Sequence, residues 1–229
     1  MPSFGLGVSV TEQRHATAMI MTPGLRNFAL TAHVTSSVGS LGAVAAFLAL
    51  AVAGLTSQDA QMVRAAYLAM GFSAWFVIVP LVLASLLTGL VMSLGTPWGL
   101  FRHYWVLVKL LLTVLTAIVL LLQMEPISYM AAVAAETTLS GADLLGLRRS
   151  LRFHAAGGLL VLLVTTTLSV YKPRGMTPYG ARKDGRGSTT STPRWVKVFG
   201  MIAIGLVLLV VILVFTGVGG PHGPGRHMP

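Results

Sequence analysis

Three strongly polar, ionisable side chains interrupt the apolar runs of this chain: His33, Lys109 and His154. A neutral imidazole offers one nitrogen lone pair to a metal or a proton donor while its other nitrogen donates. Lys109 finds no Asp or Glu inside any apolar run, so an anionic ligand would answer its charge. Each position also has a plainer reading. Lys109 can snorkel to headgroups, His33 can bond a serine hydroxyl of a neighbouring turn, and His154, close behind Arg152, can be an interfacial side chain. Classical hydrolase and ATPase chemistry has nothing to stand on. Cysteine is absent, so there is no disulfide, thiolate metal site or cysteine nucleophile, and no P-loop, GxSxG or HExxH motif occurs.

The elements that must position these residues are apolar runs. Of 229 residues 55% are hydrophobic and 10% charged, and the mean hydropathy is +0.80, which places the chain far from soluble domains. Runs long enough to span a bilayer cover residues 28–54, 67–93, 104–124, 152–171 and 198–218. Backbone in lipid must satisfy its own hydrogen bonds, so each run is expected to be a helix. The fold class is therefore all-α, an integral membrane bundle of five transmembrane helices, with a four-helix core over 28–171 and a peripheral fifth helix over 198–218. At about 100° per residue, small and polar residues line one face of each of the first four helices. His33, Ser36, Ser37 and Ser40 share a face in the first. Tyr67, Met70, Gly71, Ala74, Ser85, Thr88, Gly89 and Met92 do so in the second. Trp105, Lys109, Thr113, Thr116 and Gln123 align in the third, and His154, Gly157, Gly158, Thr165 and Ser169 in the fourth. Pro80 lies off this face and is expected to kink its helix. The fifth run carries no such stripe and reads as a lipid-facing companion.

Charge sets the expected orientation. Of the sixteen Lys and Arg, seven fall in the Gly-, Ser- and Pro-rich segment 172–197, which reads as a flexible basic loop against anionic headgroups rather than a nucleic-acid platform. With this loop inside, the inner segments hold ten cations and the outer ones five, giving an N-in, C-out topology in the cell membrane. Residues 1–27 read as a cytoplasmic extension without a signal-peptide core, with an alternative start near Met19 or Met21. Residues 219–229, with His222 and His227, read as a flexible Gly/Pro/His tail. In this topology His33 and Lys109 each lie about 8 Å from the inner edge and can meet there, with Met92 at the same end. His154 starts the fourth helix from the outer side, where Met70 and Tyr67 are expected beside it. Two polar sites follow, one inner and one outer.

The stretches "LTAHVTSSVGSLGA", "YWVLVKLLLTVL" and "HAAGGLLVLLVTTTLSVYKPRG" resemble actinobacterial multi-pass membrane proteins of unknown function, over about residues 21–183. That group is distantly related to the CopD copper-resistance superfamily, which includes HemJ-type protoporphyrinogen oxidases, four-helix membrane proteins that bind haem b. In that type a histidine early in the first helix and a lysine in a Trp-x-x-x-Lys stretch serve haem binding or activity. The matching positions are His33 and, through Trp105, Lys109. Family members often carry Trp where this chain has Ser40, and the oxidase pattern is not otherwise met. The resemblance implies a haem-b protein of redox or haem-handling type. Iron would sit on His33 with Lys109 as second ligand or propionate partner, or on His154 with Met70 or Met124 opposite, and with serines such as Ser37 and the open space at Gly158 shaping the site. Two alternatives stand beside it: a non-catalytic membrane subunit, paired with a membrane partner or a second copy, whose stripes only hold helices together, and a copper protein using imidazole and thioether ligands.

Overall fold

The computed structural model describes residues 21–95, 100–137, 144–173 and 175–179, with isolated positions between 194 and 205. Residues 1–20, most of the basic loop, nearly all of the fifth run and the tail lie outside the described residues; the last part of the expected extension is instead helical, since the first helix already begins at Pro23. Among those described, the chain is all-helical: α1 (Pro23–Thr56), α2 (Ala60–Ser73), a π-helical turn (Ala74–Ile78), α3 (Val79–Gly95), α4 (Tyr104–Glu136) and α5 (Leu145–Tyr171). Because α2, the π turn and α3 run on as one rod, four helices are long and apolar enough to cross a membrane. Many large apolar side chains face outward, Phe28, Phe72, Phe76 and Leu122 among them. Water does not sustain so extensive an apolar surface, whereas lipid does.

Local chemistry explains where the helices start and how they run. Thr22 caps α1 ahead of Pro23, accepting from Leu25 N, and Asp59 caps α2 by accepting from Gln61 N at 2.9 Å. A three-residue link, Ser57–Asp59, makes α1 and α2 antiparallel neighbours. The expected disturbance at Pro80 is present as the π turn: Pro80 has no N–H to give to the carbonyl four residues back, and just before it Val79 N bonds Ala74 O instead. The helices exceed the apolar runs at several ends. α4 continues through Glu125 and Pro126 to Glu136 because Ile127, Met130 and Ala134 keep its buried face intact. Its 33 residues measure about 50 Å, against a hydrocarbon core of about 30 Å.

The core follows from the faces. Ser36, Ser40, Val44, Phe47, Ala51 and Gly54 form the buried edge of α1, and Arg148, Leu151 and Ala155 that of α5. α1 packs against α2, α3 and α5, and α4 packs against α2, α3 and α5. Glycine lets two of these approaches close: a Cβ on Gly71 would stand 2.7 Å from Ala131 Cβ, and one on Gly54 2.8 Å from Tyr67 Cζ. The end where α1 begins, α3 ends and α4 begins is here the proximal end; that near Thr56 and Glu136 is the distal end. At the proximal end the chain after α5 turns back along the start of α4. Thr177 N donates to Arg102 O at 3.0 Å, Tyr104 N to Gly175 O at 3.4 Å, and the Thr177 hydroxyl to Phe101 O.

Candidate functional site

His33 and Lys109 meet at the proximal end, with Lys109 Nζ 3.1 Å from His33 Nε2. α1 carries the imidazole and α4 the lysine, and their contact puts the two side chains at one depth although α1 starts about a turn earlier. α3 supplies the space, since a Cβ on Gly89 would stand 2.9 Å from His33 Cε1. It also fixes the ring. His33 Nδ1 lies 3.0 Å from Ser85 O and 3.1 Å from Thr88 Oγ1. The carbonyl can only accept, and the Thr88 hydroxyl spends its one hydrogen on Ala84 O at 2.6 Å. Nδ1 therefore carries the hydrogen, and Nε2 presents its lone pair, which the Lys109 ammonium holds. Ser37, on the same α1 face, bonds the Ser85 hydroxyl at 2.7 Å and so steadies the residue whose carbonyl holds the histidine.

Around this pair lies a cavity of about 310 Å³. Its polar lining includes Ser85, Ser93, Thr113 and Ser169, with Lys172 adding a second cation and Met92 a thioether; apolar residues such as Leu30 and Leu86 complete it. No carboxylate is among the lining residues. The arrangement can hold an anionic group by its cations and can present one neutral imidazole nitrogen to an electron-pair acceptor.

The distal side is organised differently from the expectation. His154 lines a second cavity, of about 170 Å³, between α1, α3, α4 and α5, together with Gly157, Gly158, Thr116 and Gln123. Its Nδ1 lies 2.9 Å from Ser150 O, one turn back, so Nδ1 again carries the hydrogen and Nε2 the lone pair. Met70 and Met124 are buried in the helix core, 1% and 4% exposed, and neither is among the residues lining the cavity. α5 turns Leu151 and Ala155 into the core and leaves His154 beside that face, on a cavity that neither methionine lines.

The residue against Tyr67 is Arg148, one of the five cations that the charge bias assigns to the outer segments. It is 1% exposed. Its Nε donates to Tyr67 Oη at 2.8 Å, and a terminal nitrogen donates to Gly54 O in the last turn of α1. A guanidinium there completes carbonyls that the helix end leaves unpaired and sits favourably at the negative end of its dipole. The signal was available: Arg148, Leu151 and Ala155 stand at helical spacing, so Arg148 continues the buried face of α5.

Among the described residues no group of three or more His, Cys, Asp or Glu gathers where it could hold a metal ion. The described residues define an all-helical bundle with four helices long and apolar enough to cross a membrane and a lysine–histidine pair near one end. Comparison with known proteins finds no matching family model, no matching curated protein and no matching solved structure.

Proposed function

We propose that this is a multi-pass protein of the cell membrane whose proximal cavity binds haem b for redox or haem-handling work. The observation that carries the reading is the orientation of His33. A metal-ligating histidine characteristically gives its second ring N–H to a carbonyl, which fixes the tautomer and raises the basicity of the ligating nitrogen. His33 has that arrangement before any ligand arrives, with Ser85 O as acceptor. The rest of the donor set is compatible. Met92 lines the same cavity as a thioether, and Lys109 and Lys172 are cations suited to propionate carboxylates. When bound, haem would supply electron transfer or iron chemistry. The chain's part is to offer Nε2, to exclude water with Leu30, Leu86 and their neighbours, and to answer negative charge. Lys109 must swing off Nε2 to allow ligation, and its flexible stem permits that.

The five-helix count, with residues 198–218 as a peripheral helix, and the N-in, C-out orientation belong to the same proposal, supported by hydropathy and by the bias of Lys and Arg. The basic segment 172–197 then meets anionic headgroups on the inner side.

Absorption spectra of detergent-purified protein from haem-replete cells, oxidised and dithionite-reduced, with a pyridine haemochrome assay, test the haem reading. A Soret band that His33→Ala removes is the expected result, and Lys109→Met should weaken haem retention roughly tenfold, the loss of one charge-assisted contact. A colourless wild-type protein ends the haem reading.

One observation favours a second reading, a non-catalytic membrane subunit that meets a membrane partner or a second copy. Among the described residues no buried side-chain polar atom lacks a hydrogen-bond partner, so the polar stripes already satisfy one another. On that reading, His33→Ala, Lys109→Ala and His154→Ala leave the colour and metal content unchanged.

A further inference from the structure

The distal cavity has a chemistry of its own. No charged side chain lines it, and most of its wall is aliphatic or aromatic. A charged ligand would find no compensation there, so the occupant must be neutral. Three polar side chains face it, and their hydrogen-bonding roles are largely settled. His154 Nδ1 lies 2.9 Å from Ser150 O, which can only accept, and 3.2 Å from the Ser150 hydroxyl; the carbonyl puts the hydrogen on Nδ1 and leaves Nε2 as an acceptor. Thr116 donates to Leu112 O at 2.8 Å, so its oxygen accepts only. Gln123 can donate and accept through its amide. Two acceptors of fixed sense call for a ligand that donates.

Size and shape narrow it further. A cavity of about 150 Å³ with apolar walls takes up benzene, and this one measures about 170 Å³, the room for a single ring. Gly157 and Gly158 leave a flat stretch of wall; a Cβ on Gly157 would meet nothing within 4 Å. The cavity opens to the surface of the bundle beside α5, where Gly157 is exposed and Phe153 is 60% exposed. An alkyl tail attached to the ring can leave by that route into the bilayer.

We propose that the distal cavity binds a neutral, lipid-soluble aromatic ring bearing a phenol-type hydroxyl, the chemistry of a membrane quinol, with the hydroxyl donating to His154 Nε2. The site is independent of the proximal cavity, and its occupancy does not depend on haem. No electron or proton leaves the ligand in this proposal.

The test compares para-decylphenol with para-decylanisole by isothermal titration into the full-length protein in detergent micelles. The two probes share ring and tail and differ in the one O–H. The phenol should bind saturably at one per chain, and the ether roughly tenfold more weakly, because it leaves Nε2 without a donor. His154→Phe keeps an aromatic ring but removes the acceptor, so it should bring the two probes to equal affinity. Gly158→Leu fills the cavity and should abolish saturable binding of both. Equal affinity of phenol and ether for the wild-type protein overturns the proposal without recourse to any variant. So does saturable binding that survives Gly158→Leu, which would place the ligand elsewhere, and so does partition into micelles with no saturation.

Discussion

Gly89 has no side chain where His33 needs room, and that makes it as informative as the histidine. A methyl group there would stand 2.9 Å from Cε1 and push the ring off Ser85 O. Gly89→Ala should therefore release the fixed tautomer, seen as altered imidazole nitrogen shifts of His33 by NMR. Gly24→Ala, whose added carbon meets nothing, should leave them in place. Arg148 carries the corresponding weight at the distal end. Removing a buried charged group that closes a helix end and a phenol hydroxyl leaves Gly54 O and Tyr67 Oη to be satisfied otherwise, at a cost of about 1–3 kcal/mol for each. Arg148→Ala should accordingly lower the melting temperature in detergent strongly, and Tyr67→Phe, which removes one hydrogen bond, distinctly less. The sequence made His33 and Lys109 legible as a pair because equal depth in two helices can be counted along the chain. It left Arg148 unread because an arginine beside Arg149 and Arg152 looks like headgroup chemistry until the face it continues is traced. Met70 misled for the opposite reason: a shared helical face says which side of a helix is inward, not which neighbour lies opposite.

Helix packing sets the behaviour of whole elements, and two glycines of α1 show how. Gly54 lies against the Tyr67 ring, with 2.8 Å left for any Cβ, while Gly42 is exposed with nothing within 4 Å. Gly42→Ala should raise thermal stability slightly, since alanine favours helix by up to about 1 kcal/mol over glycine. Gly54→Ala should lower it despite the same gain in propensity, because the ring and the Arg148 contact must shift. Parallel melts of the two variants check this. Apolar runs announced four of the helices but not their ends. α4 outlasts its run by twelve residues, from Met124 to Glu136, since the buried sequence Ile127, Met130, Ala134 keeps helical spacing past two residues that look like a stop. The disturbance at Pro80 was legible from a missing N–H; its form as a π turn was settled by how the ladder around it could close.

For the molecule as a whole, the described helices form an even-numbered antiparallel set, so the segment before α1 and that after α5 emerge at the same end. The absence of native cysteine makes orientation directly measurable. Single cysteines at Gly24 and Phe101 should react with a membrane-impermeant maleimide only after the cells are opened, and those at Gln58 and Thr137 in intact cells, if the charge bias fixes the proximal end inside. The reverse pattern would invert the proposed topology while leaving the bundle unchanged. The proximal end holds one further element of design in the doubled-back segment at Gly175–Thr177. Its hydrogen bonds to Phe101, Arg102 and Tyr104 tie the exit of the chain to the turn that leads into α4. A pull on the polypeptide beyond Tyr179 is thus taken up in that turn before it reaches Lys172, as a cable clamp spares the joint behind it.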